Sequence, residues 1–117
     1  MKMKAKLKYK GEEIEIPDVE KVSEFGKFKG LMFKSNETNA LLFDFGRLTN
    51  QAIHSFFCPD FLAIWLNQGK IIDYKLITSG KMKIKPEQDF THLLEIPLNN
   101  KYSPIVKFFL STSEIQK

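Results

Sequence analysis

FLAIWLNQGKIIDYKLIT, residues 61–78, decides how this chain is read. Two runs rich in branched and aromatic side chains flank Gln68 and Gly69, a pair suited to a tight connection, and the pattern predicts a β-hairpin. Along the first run Ala63, Trp65 and Asn67 fall on one strand face and Leu62, Ile64 and Leu66 on the other. Trp65 therefore stands on the less apolar side, where it either covers an open end of the core or offers an aromatic contact to a ligand or a protein.

The same signature recurs outward from the hairpin. ALLFDF (40–45), AIHSFF (52–57), KMKIK (81–85), THLLEIP (91–97) and PIVKFFL (104–110) all read as short strands set off by Gly, Pro, Asn and Asp. At the amino terminus KMKAKLKYK (2–10) alternates lysine with other residues, and Gly11 turns it into EEIEI (12–16). Lys2, Lys4, Lys6, Lys8 and Lys10 then form one charged row, the solvated face of an edge strand or a stripe that tracks phosphates. Pro17 and Asp18 break the run, and Asp18 is placed to cap a short helix near residues 19–30, in which Gly26 and Gly30 are weak points. The expectation is a mainly β, compact single domain spanning residues 1–117. Its fold is a β-sandwich or barrel-like sheet of about eight or nine short strands with that one helix.

Composition narrows the function classes. At 117 residues with 43% hydrophobic content the chain suits one globular core. A single cysteine cannot close an internal disulfide, and no amino-terminal segment reads as a secretion signal, so a cytoplasmic location is expected. No apolar run reaches the roughly 20 residues of a membrane span. The net charge of +4 comes from 18 basic against 14 acidic residues, and Arg47 is the only arginine. Such diluted charge argues against nucleic acid as the partner.

FGKFKGLMFK (25–34), ALLFDF, IHSFFC (53–58), FLAIWLNQGKII and HLLEIP (92–97) together resemble the DUF192 family, also called UPF0127, over roughly residues 20–100. The resemblance implies a compact β-sandwich or barrel-like domain and brings no established reaction. It also implies interest in Lys27 and Lys29, because relatives often carry basic residues beside the GLM signature. The chain departs from the family where many members have a WMKNT-like segment and an aspartate: here the strands read HSFFCPD and FLAIW, and the aspartate position falls at Leu62 or Ala63.

The candidate chemistry is sparse. His54 precedes Cys58 by four residues, and on the expected strand the two would share a face about 13 Å apart, too far for a Cys-His dyad. Cys58 then reads as a small buried hydrophobe and His54 as a core or pocket residue. Lys27 and Lys29 can hold an anion or lay their stems over Phe25 and Phe28. The expected function is a non-enzymatic binding or interaction module, without cofactor or metal, whose partner is a protein surface or an anionic small molecule. Its candidate ligand-binding residues are Lys27, Lys29, His54, Trp65 and His92. The alternative is a hydrolase or transferase with a pocket around His54, Cys58, His92 and Lys29.

Overall fold

The hairpin stands where the sequence puts it. In the computed structural model, which describes residues 2–22, 31 and 34–115, Phe61–Asn67 pairs antiparallel with Lys70–Ile77. Gln68 and Gly69 between them have φ of 50° and 86°, the two left-handed residues that a turn twisted like its flanking strands demands. In chain order the strands are β1 (Lys2–Tyr9), β2 (Glu12–Val22), β3 (Ala40–Thr49), β4 (Phe61–Asn67), β5 (Lys70–Ile77) and β6 (Phe90–Pro97). They are followed by a short 3-10 turn (Asn100–Tyr102) and helix α1 (Ser103–Ile115). All six form one sheet in the order β1-β2-β3-β6-β4-β5, antiparallel except for the β2/β3 pair.

The sheet curls into a half-barrel whose edge strands approach each other. Tyr9 on β1 and Tyr74 on β5 stand edge to face at 5.6 Å, and Phe109 of α1 packs on both, at 5.6 and 4.9 Å. Inside the curl, Leu62, Ile64, Leu66, Leu94 and Ile96 meet Tyr102, Ile105 and Phe109; outside it, Phe61, Ala63, Trp65 and Leu93 meet Leu41, Phe43, Cys58 and Phe90. Strand β4 is thus buried on both faces, which explains why its sequence is apolar almost without interruption.

Among the described residues three of the expected strands are absent, and six strands stand in place of the eight or nine. PIVKFFL is helix α1: Pro104 sits in the first turn, where its missing N–H costs nothing, and Tyr102, Ile105 and Phe109 bury one face at intervals of three and four. AIHSFF and KMKIK are loops joined by one isolated bridge, Ile53 to Ile84. The helix expected near residues 19–30 is also corrected in part, since Val19–Val22 end β2 and pair in parallel with Ala40–Phe43, while residues 23–30 lie outside the described residues.

Pro17 and Asp18 do not end β2. Val19 pairs with Met3 and Ile16 with Ala5, so these two residues bulge opposite Lys4 alone, and a bulge is where a strand tolerates proline. Asp18 adopts a left-handed φ of 49°, and its carbonyl accepts the Tyr102 hydroxyl at 2.8 Å. The same hydroxyl oxygen accepts the Ala40 N–H at 2.8 Å. One phenol therefore joins the start of α1 to β2 and β3 at the place where their parallel pairing begins.

The lysine row of β1 faces glutamates. Lys6 is opposite Glu15, Lys8 opposite Glu13 and Lys2 opposite Glu20, with a Lys4–Glu15 ion pair at 3.3 Å. Opposite charges across neighbouring strands support the pairing and neutralise the stripe.

Tyr102→Phe keeps the ring and strands both backbone groups. A loss of about 1–3 kcal/mol is expected, seen as a lower urea midpoint at unchanged slope; an unaltered midpoint would remove the hydroxyl from any structural role.

Candidate functional site

Strand β3 leaves its ladder with β6 after Asp44. Asp44 pairs with His92 and the next partners are Thr49 and Phe90, so residues 45–48 swing outward opposite Thr91. The swing opens a cleft of about 470 Å³ between this bulge, the β4–β5 turn and the start of β6. Asp44, Gly46, Arg47 and Leu48 line one wall, Asn67 and Gln68 a second, and Thr91 and His92 the floor. Gly46 takes the left-handed φ of 70° that the bulge needs, and its N–H binds Asp44 Oδ1 at 2.9 Å.

Asp44, His92 and Thr91 have the outline of a catalytic triad. His92 Nε2 lies 3.4 Å from Asp44 Oδ1, and Nδ1 lies 2.8 Å from Thr91 Oγ1. The hydroxyl is already committed, however: Oγ1 donates to the Leu66 carbonyl at 3.2 Å and accepts the Gln68 N–H at 2.9 Å. With its proton on Leu66, Thr91 receives a hydrogen bond from Nδ1 and cannot be activated by it. Thr91 is a clamp that fixes the ring against the hairpin turn.

Asp44 titrates below its ordinary range, chiefly because the Gly46 N–H binds its ionised form, with His92 and Lys21 adding to the effect against some burial. The carboxylate thus stays charged, held by the Gly46 N–H and beside the His92 ring. Arg47 on the same wall adds a positive charge in a planar fork that matches carboxylate or phosphate oxygens.

The expected site residues do not assemble around this cleft. His92 lines it, whereas Trp65 is fully buried, edge to face against Phe90 at 6.4 Å. His54 is exposed in a loop, its Nδ1 accepting the Phe56 N–H at 3.2 Å. Cys58, also in that loop and not on a strand, is buried and donates to the Phe56 carbonyl at 3.5 Å. His54, Cys58 and His92 are each engaged elsewhere, and no hydrogen bond joins any two of them among the described residues. Lys27 and Lys29 lie outside the described residues. No group of three or more His, Cys, Asp or Glu side chains that could hold a metal ion occurs among the described residues.

A second polar feature lies in the outer layer. Glu95 on β6 is 5% exposed among apolar side chains and accepts the backbone N–H of Leu31. Burial pushes its carboxyl up to about 8, against a partial offset from that hydrogen bond. Burial, with the nearby Glu95 as a smaller cause, likewise pushes the Cys58 thiol up to about 11, which leaves almost no thiolate at neutral pH. Trp65 Nε1 in the same layer has no hydrogen-bond partner among the described residues.

None of Asp44, Arg47, Gln68, Thr91 and Glu95 is among the ligand-binding residues expected from the sequence. The Asp44–His92 contact depends on strand pairing across almost fifty positions of chain. Arg47 carried a signal of its own as the single arginine.

No protein-family model matches the sequence, and no curated protein matches it significantly. Two solved structures share the fold. A candidate transcription regulator from Sinorhizobium meliloti 1021 superposes with a TM-score of 0.66 at 13% identity, covering 86% of this chain and 81% of its own. A protein of unknown function from Novosphingobium aromaticivorans DSM 12444 gives a TM-score of 0.68 at 10% identity, covering 88% and 77%. At such identities the likeness is one of fold.

The raised carboxyl of Glu95 fixes the sign of a pH effect. Between its ordinary value of 4.5 and about 8 the folded state holds a proton that the unfolded state has lost. The stability it contributes is therefore full below about pH 4.5 and is lost as pH rises through about 8, with a slope approaching 1.4 kcal/mol per unit. Urea unfolding across this window should show the decline in the native chain and a flatter profile in Glu95→Gln; parallel profiles would refute the assignment. Cys58 in the folded protein should react with a disulfide reagent far more slowly than free cysteine, and equal rates would contradict its burial.

Proposed function

We propose that this chain is a non-enzymatic binding module of the DUF192 type, acting in the cytoplasm, whose ligand is a small anion seated in the cleft of Arg47 and His92. The observation that carries the reading is the placement of the chain's single arginine on the wall of a concave, polar site whose floor is a clamped histidine. Asp44 would repel an anion if it stood alone, but its Oδ1 is engaged by the Gly46 N–H and faces the His92 ring. Leu48 gives the cleft an apolar edge, which suits a ligand with a carbon body and an anionic group.

The saturated hydroxyl of Thr91 and the protonated thiol of Cys58 support binding over catalysis, because neither can serve as a nucleophile. The regulator named among the fold neighbours raises nucleic acid as a partner. The crossing of the β1 lysines by β2 glutamates favours the reading without it.

The test is an amide NMR titration with inorganic phosphate, citrate and a nucleoside monophosphate. Shifts are expected at Gly46, Gln68 and Thr91, with affinity weakened about tenfold in Arg47→Ala. Equal shifts in native and Arg47→Ala protein, or none in either, would refute the cleft as an anion site.

A further inference from the structure

The cleft of Arg47 and His92 carries both signs of charge on one wall. Asp44 and Arg47 stand three residues apart along the β3 bulge, and both line it. No ion pair joins the two among the described residues: the Asp44 carboxylate meets His92, and Arg47 is exposed. An arginine that served only to neutralise the carboxylate would lie on it, fork to fork. Each charge is left with capacity for a ligand.

His92 sharpens the acidic half of the site. Its Nδ1 donates to Thr91 Oγ1, whose own proton is on the Leu66 carbonyl. In the neutral ring Nε2 then carries a lone pair, and it stands 3.4 Å from Asp44 Oδ1, which is also an acceptor. Two acceptors side by side call for a donor. One ammonium group can reach both at ordinary hydrogen-bond lengths of about 2.7–3.2 Å. The Gly46 N–H already holds the same carboxylate oxygen, so the acceptor pair is fixed before any ligand arrives. A metal ion is the less suitable occupant, because two side chains are fewer than a protein zinc site uses and no third His, Cys, Asp or Glu joins them among the described residues.

We propose that the ligand of this cleft is a zwitterion, an α-amino acid with an apolar side chain. Its ammonium sits between Asp44 and His92 Nε2, its carboxylate on the Arg47 guanidinium and its side chain along Leu48. The proposal rests on the reading of the cleft as an anion site and narrows it. A plain anion would use Arg47 and leave the two acceptors facing it without a donor, whereas an α-amino acid answers both charges from one carbon. Leu48, 53% exposed, is the apolar edge available to the side chain, and Asn67 and Gln68 on the second wall are uncharged and oppose neither group.

The experiment is an amide NMR titration of the full chain with three probes: L-leucine, N-acetyl-L-leucine, which lacks the ammonium, and L-leucinamide, which lacks the carboxylate. L-leucine should shift Gly46, Gln68 and Thr91 and bind about tenfold more tightly than either analogue. Asp44→Asn keeps an Oδ1 for the Gly46 N–H, and in this variant L-leucine should fall to the affinity of N-acetyl-L-leucine. N-acetyl-L-leucine should bind that variant at least as well as the native chain, which reports that the bulge still stands. Loss of N-acetyl-L-leucine from Asp44→Asn would make the carboxylate a structural support and overturn the proposal. Equal affinity of the native chain for L-leucine and N-acetyl-L-leucine would overturn it while leaving the anion site in place. Equal affinity for L-leucine and L-leucinamide, with N-acetyl-L-leucine unbound, would overturn both. Binding of phosphate or citrate without any of the three probes would overturn the amino acid alone.

Discussion

Strands β4 and β6 are buried on both faces, and the rest of the molecule is arranged to cover them. A strand in that position needs two apolar layers. The concave side of the half-barrel receives the 3-10 turn and α1 that follows it, whose buried stripe supplies Tyr102, Ile105 and Phe109. The convex side is covered by Leu31 and by the loops around Cys58 and Ile84. Loops bring unpaired backbone with them, which must find partners when buried. Ser55 answers that need through its hydroxyl, its N–H and its carbonyl.

The polar residues of the structure follow from the same constraint. Glu95 lies between Ala63 and Leu41 in the middle of the sheet, where a carboxyl survives by keeping its proton and taking the Leu31 N–H. The Tyr102 hydroxyl solves a similar problem at the edge of the other layer, because Ala40 and Asp18 present an N–H and a carbonyl just where β2 changes partners. Thr91 repeats the device at the far end of β6. Each of the two hydroxyls stands where regular pairing stops, and the cleft exists because the β3 bulge interrupts the ladder with β6.

Legibility in the sequence tracked the range of the interaction. The hairpin was readable because its turn, its alternation and its pairing are all local, from Phe61 to Ile77. The strands ALLFDF and THLLEIP were readable from composition. PIVKFFL was not, since branched and aromatic residues over seven positions fit either conformation, and the deciding term, burial at Tyr102, Ile105 and Phe109, needed a longer window. AIHSFF failed for another reason: its apolar residues serve the outer layer without a ladder, and only Ile53 is bridged. The distance argument against a His54–Cys58 dyad lost its strand, yet separation survives in the contacts, since each residue binds a different atom of Phe56. Of the candidate site, His92 was visible as a histidine; Asp44 and Thr91 were not, because their roles come from pairing across the sheet and from a turn 23 residues away.

The cleft and the loops pinned by Ser55 sit at opposite ends of one hairpin, about 20 Å apart along a strand of seven residues. Coupling between them would require β4 to slide or twist, and β4 is held by hydrogen bonds to β5 and β6 on either side and by close-packed layers above and below. Interiors of this kind resist small displacements, and moving β4 by one register step would turn Trp65 into the inner layer and Leu66 into the outer. No low-energy intermediate arrangement is available to carry a signal along it. A ligand in the cleft should therefore leave the loops pinned by Ser55 unmoved, with the hairpin acting as a rigid spacer between them.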